Sequence, residues 1–222
     1  MTVRVRYQTV EIGEFDIHLR TLRDRQQYAD VNGAAESLGI TDALWPIFGV
    51  VWASSELLAQ LMLSEEIQGK RILEVGCGMA LASHVLNSRD ADITATDYHP
   101  EVESFLFENV RLNSGKAIPY VRTGWTDKLS ELGAFDLIIG SDLLYETAHS
   151  TQLAEFIHQH AKPDCEVIMI DPGRGHHARF SKKMVELGYS HKQTKAIPII
   201  DTLPGYSGQV LRYLHAAEIP AG

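Results

Sequence analysis

Cysteine is scarce in this chain: Cys77 and Cys165 are the only two among 222 residues. Both lie in apolar strand or motif contexts, so they read as buried thiols of a reducing compartment, and a disulfide framework is excluded. Positive charge is also short. Lys and Arg number 20 against 29 Asp and Glu, for a formal net charge of −9 and a pI near 5.5. Without a basic field, general nucleic-acid binding is not expected, whereas an acidic surface suits a basic protein partner. No apolar run reaches membrane-spanning length, and no signal peptide is expected at the start of the chain. A cytoplasmic location away from membranes is the expectation, and a monomer the expected state. Repeats, low-complexity tracts and linkers are missing as well. One domain over 1–222 is expected, with a hairpin-bearing extension at 1–50 and a cofactor-binding core at 51–222.

Several catalytic signatures are absent too. G-x-S-x-G does not occur around Ser83 and His84, so there is no nucleophile elbow. His176 and His177 are adjacent and do not face one another on a helix, and no cluster has metal-ligand spacing. The dinucleotide fingerprint G-x-G-x-x-G fails, because its third glycine would fall on Leu81.

What is present is an apolar strand, Arg71 to Val75, that runs into Gly76-Cys77-Gly78-Met79-Ala80 and opens a helix. A second apolar strand ends on Asp97. Glycines let backbone approach a ligand, and the acid accepts hydrogen bonds from ribose hydroxyls. Glu74, two residues before the first glycine, suits a cationic α-ammonium group and would repel a pyrophosphate.

The remaining pattern is α/β. Residues 3–22 alternate as a β-hairpin turned at Gly13. Residues 28–48 are broken by Asn32-Gly33, Gly39 and Trp45-Pro46. A helix over 54–66, capped by Ser54 or Ser55, shows Leu57, Leu58, Leu61 and Met62 on one face. Strands at 71–75, 93–97, 117–123, 136–141 and 165–171 then alternate with helices at 80–88, 100–113, 148–160 and 176–187. Two strands, 191–200 and 208–215, close the chain with no helix between them. The expected fold is a doubly wound, mostly parallel seven-stranded sheet with a C-terminal antiparallel hairpin and an N-terminal β-hairpin extension.

Val75-Gly76-Cys77-Gly78 preceded by an acid resembles the class I, seven-β-strand S-adenosylmethionine-dependent methyltransferases. Phe48-Gly49-Val50-Val51-Trp52, Thr123-Gly124-Trp125 and Gly140-Ser141-Asp142-Leu143-Leu144-Tyr145 sharpen this. In that order and spacing they resemble the methyltransferase-like protein lysine methyltransferases, over about residues 47–175. Asp171-Pro172-Gly173-Arg174 is similar to a shorter segment in members that methylate the electron-transfer flavoprotein. Ala80 departs from the family, where many members carry a third glycine.

The resemblance implies S-adenosylmethionine as cofactor, S-adenosylhomocysteine as product and a protein lysine as acceptor. It places cofactor contacts at Trp52, Glu74, Gly76, Cys77, Gly78, Asp97, Tyr98, Trp125 and Ser141, and substrate handling at Asp142 and Tyr145. Methyl transfer is an in-line displacement, so the protein mainly aligns donor and acceptor. A carboxylate at Asp142 would hold an incoming ammonium. Local pattern alone equally allows Asp142 to cap the next helix with Tyr145 in its packing, and it also allows the tryptophans to be core. A small-molecule, histidine or arginine acceptor, or a non-catalytic cofactor-binding module, are the alternatives.

Overall fold

The computed structural model describes residues 3–128, 132–145, 147–173, 175–195 and 206–215. In chain order these form β1 (Val5–Ile12), β2 (Phe15–Leu22), α1 (Ala34–Ser37), a 3₁₀ turn (Trp45–Gly49) and α2 (Ala53–Leu61). The alternating core follows: β3 (Arg71–Val75), α3 (Leu81–Ser88), β4 (Asp92–Asp97), α4 (Val102–Leu112), β5 (Tyr120–Arg122), β6 (Phe135–Ser141), α5 (Thr147–His160), β7 (Ala161–Asp171) and α6 (His177–Glu186). β8 (Tyr189–Lys195) and β9 (Gln209–His215) end it.

Seven of these strands make one sheet in the order β5-β4-β3-β6-β7-β9-β8. β3 pairs in parallel with both β4 and β6, while β9 runs antiparallel between β7 and β8. Chain order reverses between β3 and β6, and in such sheets the crevice beyond the strands' carboxyl ends is the natural ligand position. The expected strand over 191–200 begins two residues earlier, at Tyr189. Its last five positions and 201–205 lie outside the described residues.

Both faces of the central strands β3, β4, β6 and β7 are covered, which is why these are largely buried, whereas β8 at the margin is exposed beyond Tyr189. Ile72, Ile93 and Ile139 face Leu58, Val85 and Phe105 of α2, α3 and α4. Leu73, Ile138 and Met169 face Phe156, Ile157 and Phe180 of α5 and α6. Each fully buried side chain of this kind contributes roughly 1.5–3 kcal/mol.

The hairpin β1–β2 turns on Gly13-Glu14, with Ile12 opposite Phe15 and Gly13 at φ +59°. Its Ile12, Ile17 and Leu19 join the α2–α4 side of the core. The outer edge of β2 is held by two amides. Asn109 on α4 accepts the Arg20 N–H at 2.7 Å and donates to the Arg20 carbonyl at 3.4 Å. Asn113 just beyond α4 does the same for His18, at 2.8 Å in each direction. A pair of side chains thus stands in for a neighbouring strand.

Two local readings change. The helix expected over 54–66 stops at Leu61. The Arg89 guanidinium bonds the carbonyls of Met62 and Glu65, giving freed backbone acceptors a partner outside the helix. Its cap differs too. Trp52 occupies the N-cap, and the Ser55 hydroxyl accepts the Trp52 N–H at 3.2 Å. Ser54 instead bonds the Tyr206 hydroxyl at 2.7 Å.

Candidate active site

The glycine turn after β3 is shaped by the chain itself. Gly76, Gly78 and Ala80 have φ of +58°, +50° and +54°, a left-handed run that glycine adopts freely and alanine at a cost. A Cβ at Gly76 would collide with Leu143 from the loop after β6. A Cβ at Gly78 would stand 3.1 Å from the Phe48 carbonyl oxygen. The motif therefore receives close backbone and side-chain neighbours from both flanking matched segments, besides whatever it holds.

Asp97 closes the turn from β4. Its Oδ2 accepts the Gly78 N–H at 2.9 Å, and its Oδ1 accepts the His99 N–H at 2.8 Å. Burial pushes its carboxyl up, and the three backbone N–H groups of His99, Gly78 and Tyr98 pull it back. With about four lone-pair sites against three N–H donors, the carboxylate keeps acceptor capacity beyond those bonds. The Cys77 N–H donates to the Thr96 carbonyl at 2.9 Å, tying the turn to β4. The Cys77 thiol is buried and held well above its ordinary range by that burial.

Glu74 lies behind the glycine turn, at the foot of α3. Only 2% of it is exposed. Its Oε2 accepts both the N–H, at 2.9 Å, and the hydroxyl of Ser83 in the first turn of α3. Alternation puts Glu74 on the same face as Ile72, toward α3 and away from the strand ends. Burial is the chief cause that raises its pKa to about 7. The carboxyl group anchors the start of α3 behind the glycine turn through Ser83. Ser83, which sequence reading did not connect with it, is the partner.

The aromatic residues gather on the same rim. The Trp52 indole N–H donates to the Ile47 carbonyl at 3.0 Å, fastening it to the segment that meets Gly78. Arg25 lies 5.6 Å over its ring. The Tyr98 hydroxyl donates to the Leu38 carbonyl at 2.9 Å, and its ring would lie 3.3 Å from a Cβ at Gly124. The Thr123 N–H donates to the Asp97 carbonyl at 2.9 Å, and Asp127 accepts the Gly124 N–H at 2.8 Å. This fixes the approach to Trp125, which packs partly buried on the α5–α6 side of the core.

Ser141 ends β6, beside Ile170 of β7. Asp142 follows at φ +55°, its N–H donating to the Ile170 carbonyl at 2.9 Å. That left-handed turn is sustained by β7 and by Leu143 packing on Gly76. Tyr145 is 40% exposed, the outermost group of the set. His149, unremarked in the sequence, stands between Tyr145 and Trp125. Asp171 at the end of β7 is buried, accepts the Gly173 N–H at 3.0 Å and faces His177 at 3.3 Å. Arg174 lies outside the described residues. The structure thus gathers Trp52, Gly76, Cys77, Gly78, Asp97, Tyr98, Trp125, Ser141, Asp142 and Tyr145 along one edge of the sheet. A separate cleft of about 670 Å³, lined by Lys70, Arg71, Asp92 and Asp136, opens at the opposite edge. Its cations are engaged: Lys162 with Asp136, and Arg71 with the carbonyls of Leu132 and Ala134.

A family model described as lysine methyltransferase matches residues 35–186. A calmodulin-lysine N-methyltransferase of Arabidopsis thaliana is 29% identical over 157 residues, covering 65% of this chain and 52% of that protein. A histidine protein methyltransferase 1 homolog of Dictyostelium discoideum is 31% identical over 117 residues, covering 50% of this chain and 38% of that protein. The chain spans about half the length, or less, of these curated relatives. Among solved structures, the 16S rRNA N2 G1207 methyltransferase RsmC of T. thermophilus, in complex with AdoMet and guanosine, shares the fold. Its TM-score is 0.66 at 14% identity, covering 96% of this chain and 51% of that one.

Proposed function

Because the chain belongs to the lysine methyltransferase family, we propose that it uses S-adenosylmethionine to methylate the side-chain amine of a lysine in a protein substrate. The observation that carries this is the meeting of Asp97, the glycine turn and Asp142 around the point where strand order reverses. The residues fit the cofactor. Gly76 and Gly78 leave a cradle that a Cβ would fill, and Asp97 has acceptor capacity left for ribose hydroxyls. Trp125 and Trp52 supply aromatic area for the nucleoside, and the backbone at Cys77, Tyr98 and Ser141 completes the rim.

When bound, the sulfonium supplies an electrophilic methyl group and a positive charge. The chain's own residues must present the amine in line with it. An unperturbed lysine, pKa about 10.4, is mostly protonated at neutral pH and has no lone pair to attack with. The Asp142 carboxylate attracts and orients the ammonium, and Tyr145 flanks its stem. The proton then leaves to water at the exposed rim beside Tyr145. The neutral amine that remains is aligned by the same two groups.

A basic segment suits this acidic chain, a monomer of a reducing, cytoplasmic compartment. A second reading, a histidine ring nitrogen as acceptor, rests on the 31% identity with the Dictyostelium protein. Incubation of the purified protein with labelled cofactor and whole-cell extract, with peptide-level localisation of the label, tests both. Label on lysine is expected, lost in Asp142→Ala, with S-adenosylhomocysteine binding within about threefold of wild type. Label confined to histidine, or to small metabolites, would replace the lysine reading.

A further inference from the structure

Resting on that reading, we propose that His149 is a positioning residue that joins the Trp125 and Tyr145 rings into one wall spanning the donor and acceptor sides of the site. His149 lies in the first turn of α5, half-buried. Its ring stands edge-to-face against both neighbours. The Trp125 centroid is 5.3 Å away at 89°, and the Tyr145 centroid 5.3 Å away at 87°. Trp125 arrives from the loop after β5, and Tyr145 from the loop after β6. These loops belong to strands on opposite sides of β3 in the sheet order. Trp125 is anchored on the core, whereas Tyr145 is exposed. His149 therefore transmits order from an anchored ring to an exposed one. Perpendicular aromatic pairs at this separation are favourable beyond their buried area, enough to shift a coupled equilibrium about 2- to 12-fold.

The two ends carry different duties in the proposed reaction. Trp125 flanks the nucleoside and Tyr145 flanks the acceptor stem. A shared neighbour makes their positions interdependent, so that ordering one side prepares the other.

The test uses full-length protein labelled with 5-fluorotryptophan, whose three indoles give three ¹⁹F resonances, with Trp125 assigned through Trp125→Phe. His149→Ala is expected to move the Trp125 resonance and to weaken S-adenosylhomocysteine binding in calorimetry about 2- to 12-fold. His149→Phe keeps a ring edge and restores both, whereas His149→Gln restores neither. Tyr145→Ala moves the Trp125 resonance in the wild-type background and leaves it in place when His149 is already alanine. A Trp125 resonance unmoved by His149→Ala overturns the proposal. So does rescue by glutamine without rescue by phenylalanine, which would make hydrogen bonding the role. If His149→Ala does not fold, the phenylalanine–glutamine comparison and the Tyr145→Ala shift decide. None of these readouts needs an acceptor, so the absence of lysine label would remove the function proposed above without touching the ring coupling.

Discussion

Replacing Gly76 with alanine asks whether the glycine turn is moulded by Leu143. Two costs arise. A residue with a Cβ at φ +58° is strained by roughly 1–2 kcal/mol. The new methyl also overlaps the Leu143 side chain, which must turn out of a packed site at about 1–3 kcal/mol. Gly76→Ala should therefore lose about 2–5 kcal/mol. Leu143→Ala alone removes a buried side chain and should cost about 2–5 kcal/mol as well. In the double variant the collision is gone, because alanine at 143 leaves room. The double loss should fall short of the sum by the steric part, about 1–3 kcal/mol. Urea denaturation of the four proteins measures every corner of the cycle. Losses that add to within about 0.5 kcal/mol would refute the claim that Leu143 is what the missing Cβ accommodates.

Other consequences follow from the same contacts. Folded Glu74 keeps its proton to about pH 7, against 4.5 for the ordinary side chain, so its contribution is fully present below 4.5 and lost as pH rises through 7. Between pH 4.5 and 8 wild type should lose about 3 kcal/mol relative to Glu74→Gln, read by chemical denaturation at each pH. Buried His84 and His99, held near 4, act oppositely as pH falls from 6.5. The difference between the two proteins is therefore the quantity to measure; a flat difference would contradict the burial of this carboxyl. Asn109→Ala strips the Arg20 N–H and carbonyl of partners and should cost about 2–4 kcal/mol, with faster amide exchange at Arg20. Unchanged exchange there would show that the hairpin edge does not need this amide. Asp97→Ala should weaken S-adenosylhomocysteine binding about 10- to 100-fold in calorimetry; an unchanged constant would remove Asp97 from the pocket.

Much of this architecture was readable because one periodicity governs each piece. Runs such as Leu137–Ile139, and Ile72–Val75 interrupted only by Glu74, read as strands covered on both sides, and their alternation with amphipathic helices points to a parallel sheet. Glycines before a helix and an acid ending the next strand mark the crevice with equal clarity. What sequence could not convey were contacts between distant segments. Nothing local to Leu61 announces that Arg89 will take the next carbonyls and end α2. Nothing near Glu74 announces that Ser83 will claim its carboxylate, although the alternation that puts Glu74 on the α3 face was a usable sign. His149 is invisible for the same reason, since its partners lie on two other loops. Residues 28–48 read as broken chain, yet they hold the short helix α1 and the start of a 3₁₀ turn that carries the Phe48 carbonyl toward Gly78.

That last contact ties binding competence to a stretch preceding every strand of the large sheet. A chain cut after Gly49 would retain all seven of those strands and each acid of the crevice. The turn at Gly78 would nonetheless lose its neighbour, the Phe48 carbonyl that a Cβ there would meet at 3.1 Å. Trimming far upstream should thus weaken ligand uptake, and because it also strips Ile12, Ile17, Leu19, Trp45 and Phe48 from the α2–α4 side of the core, that remote dependence is carried by packing as well as by main chain.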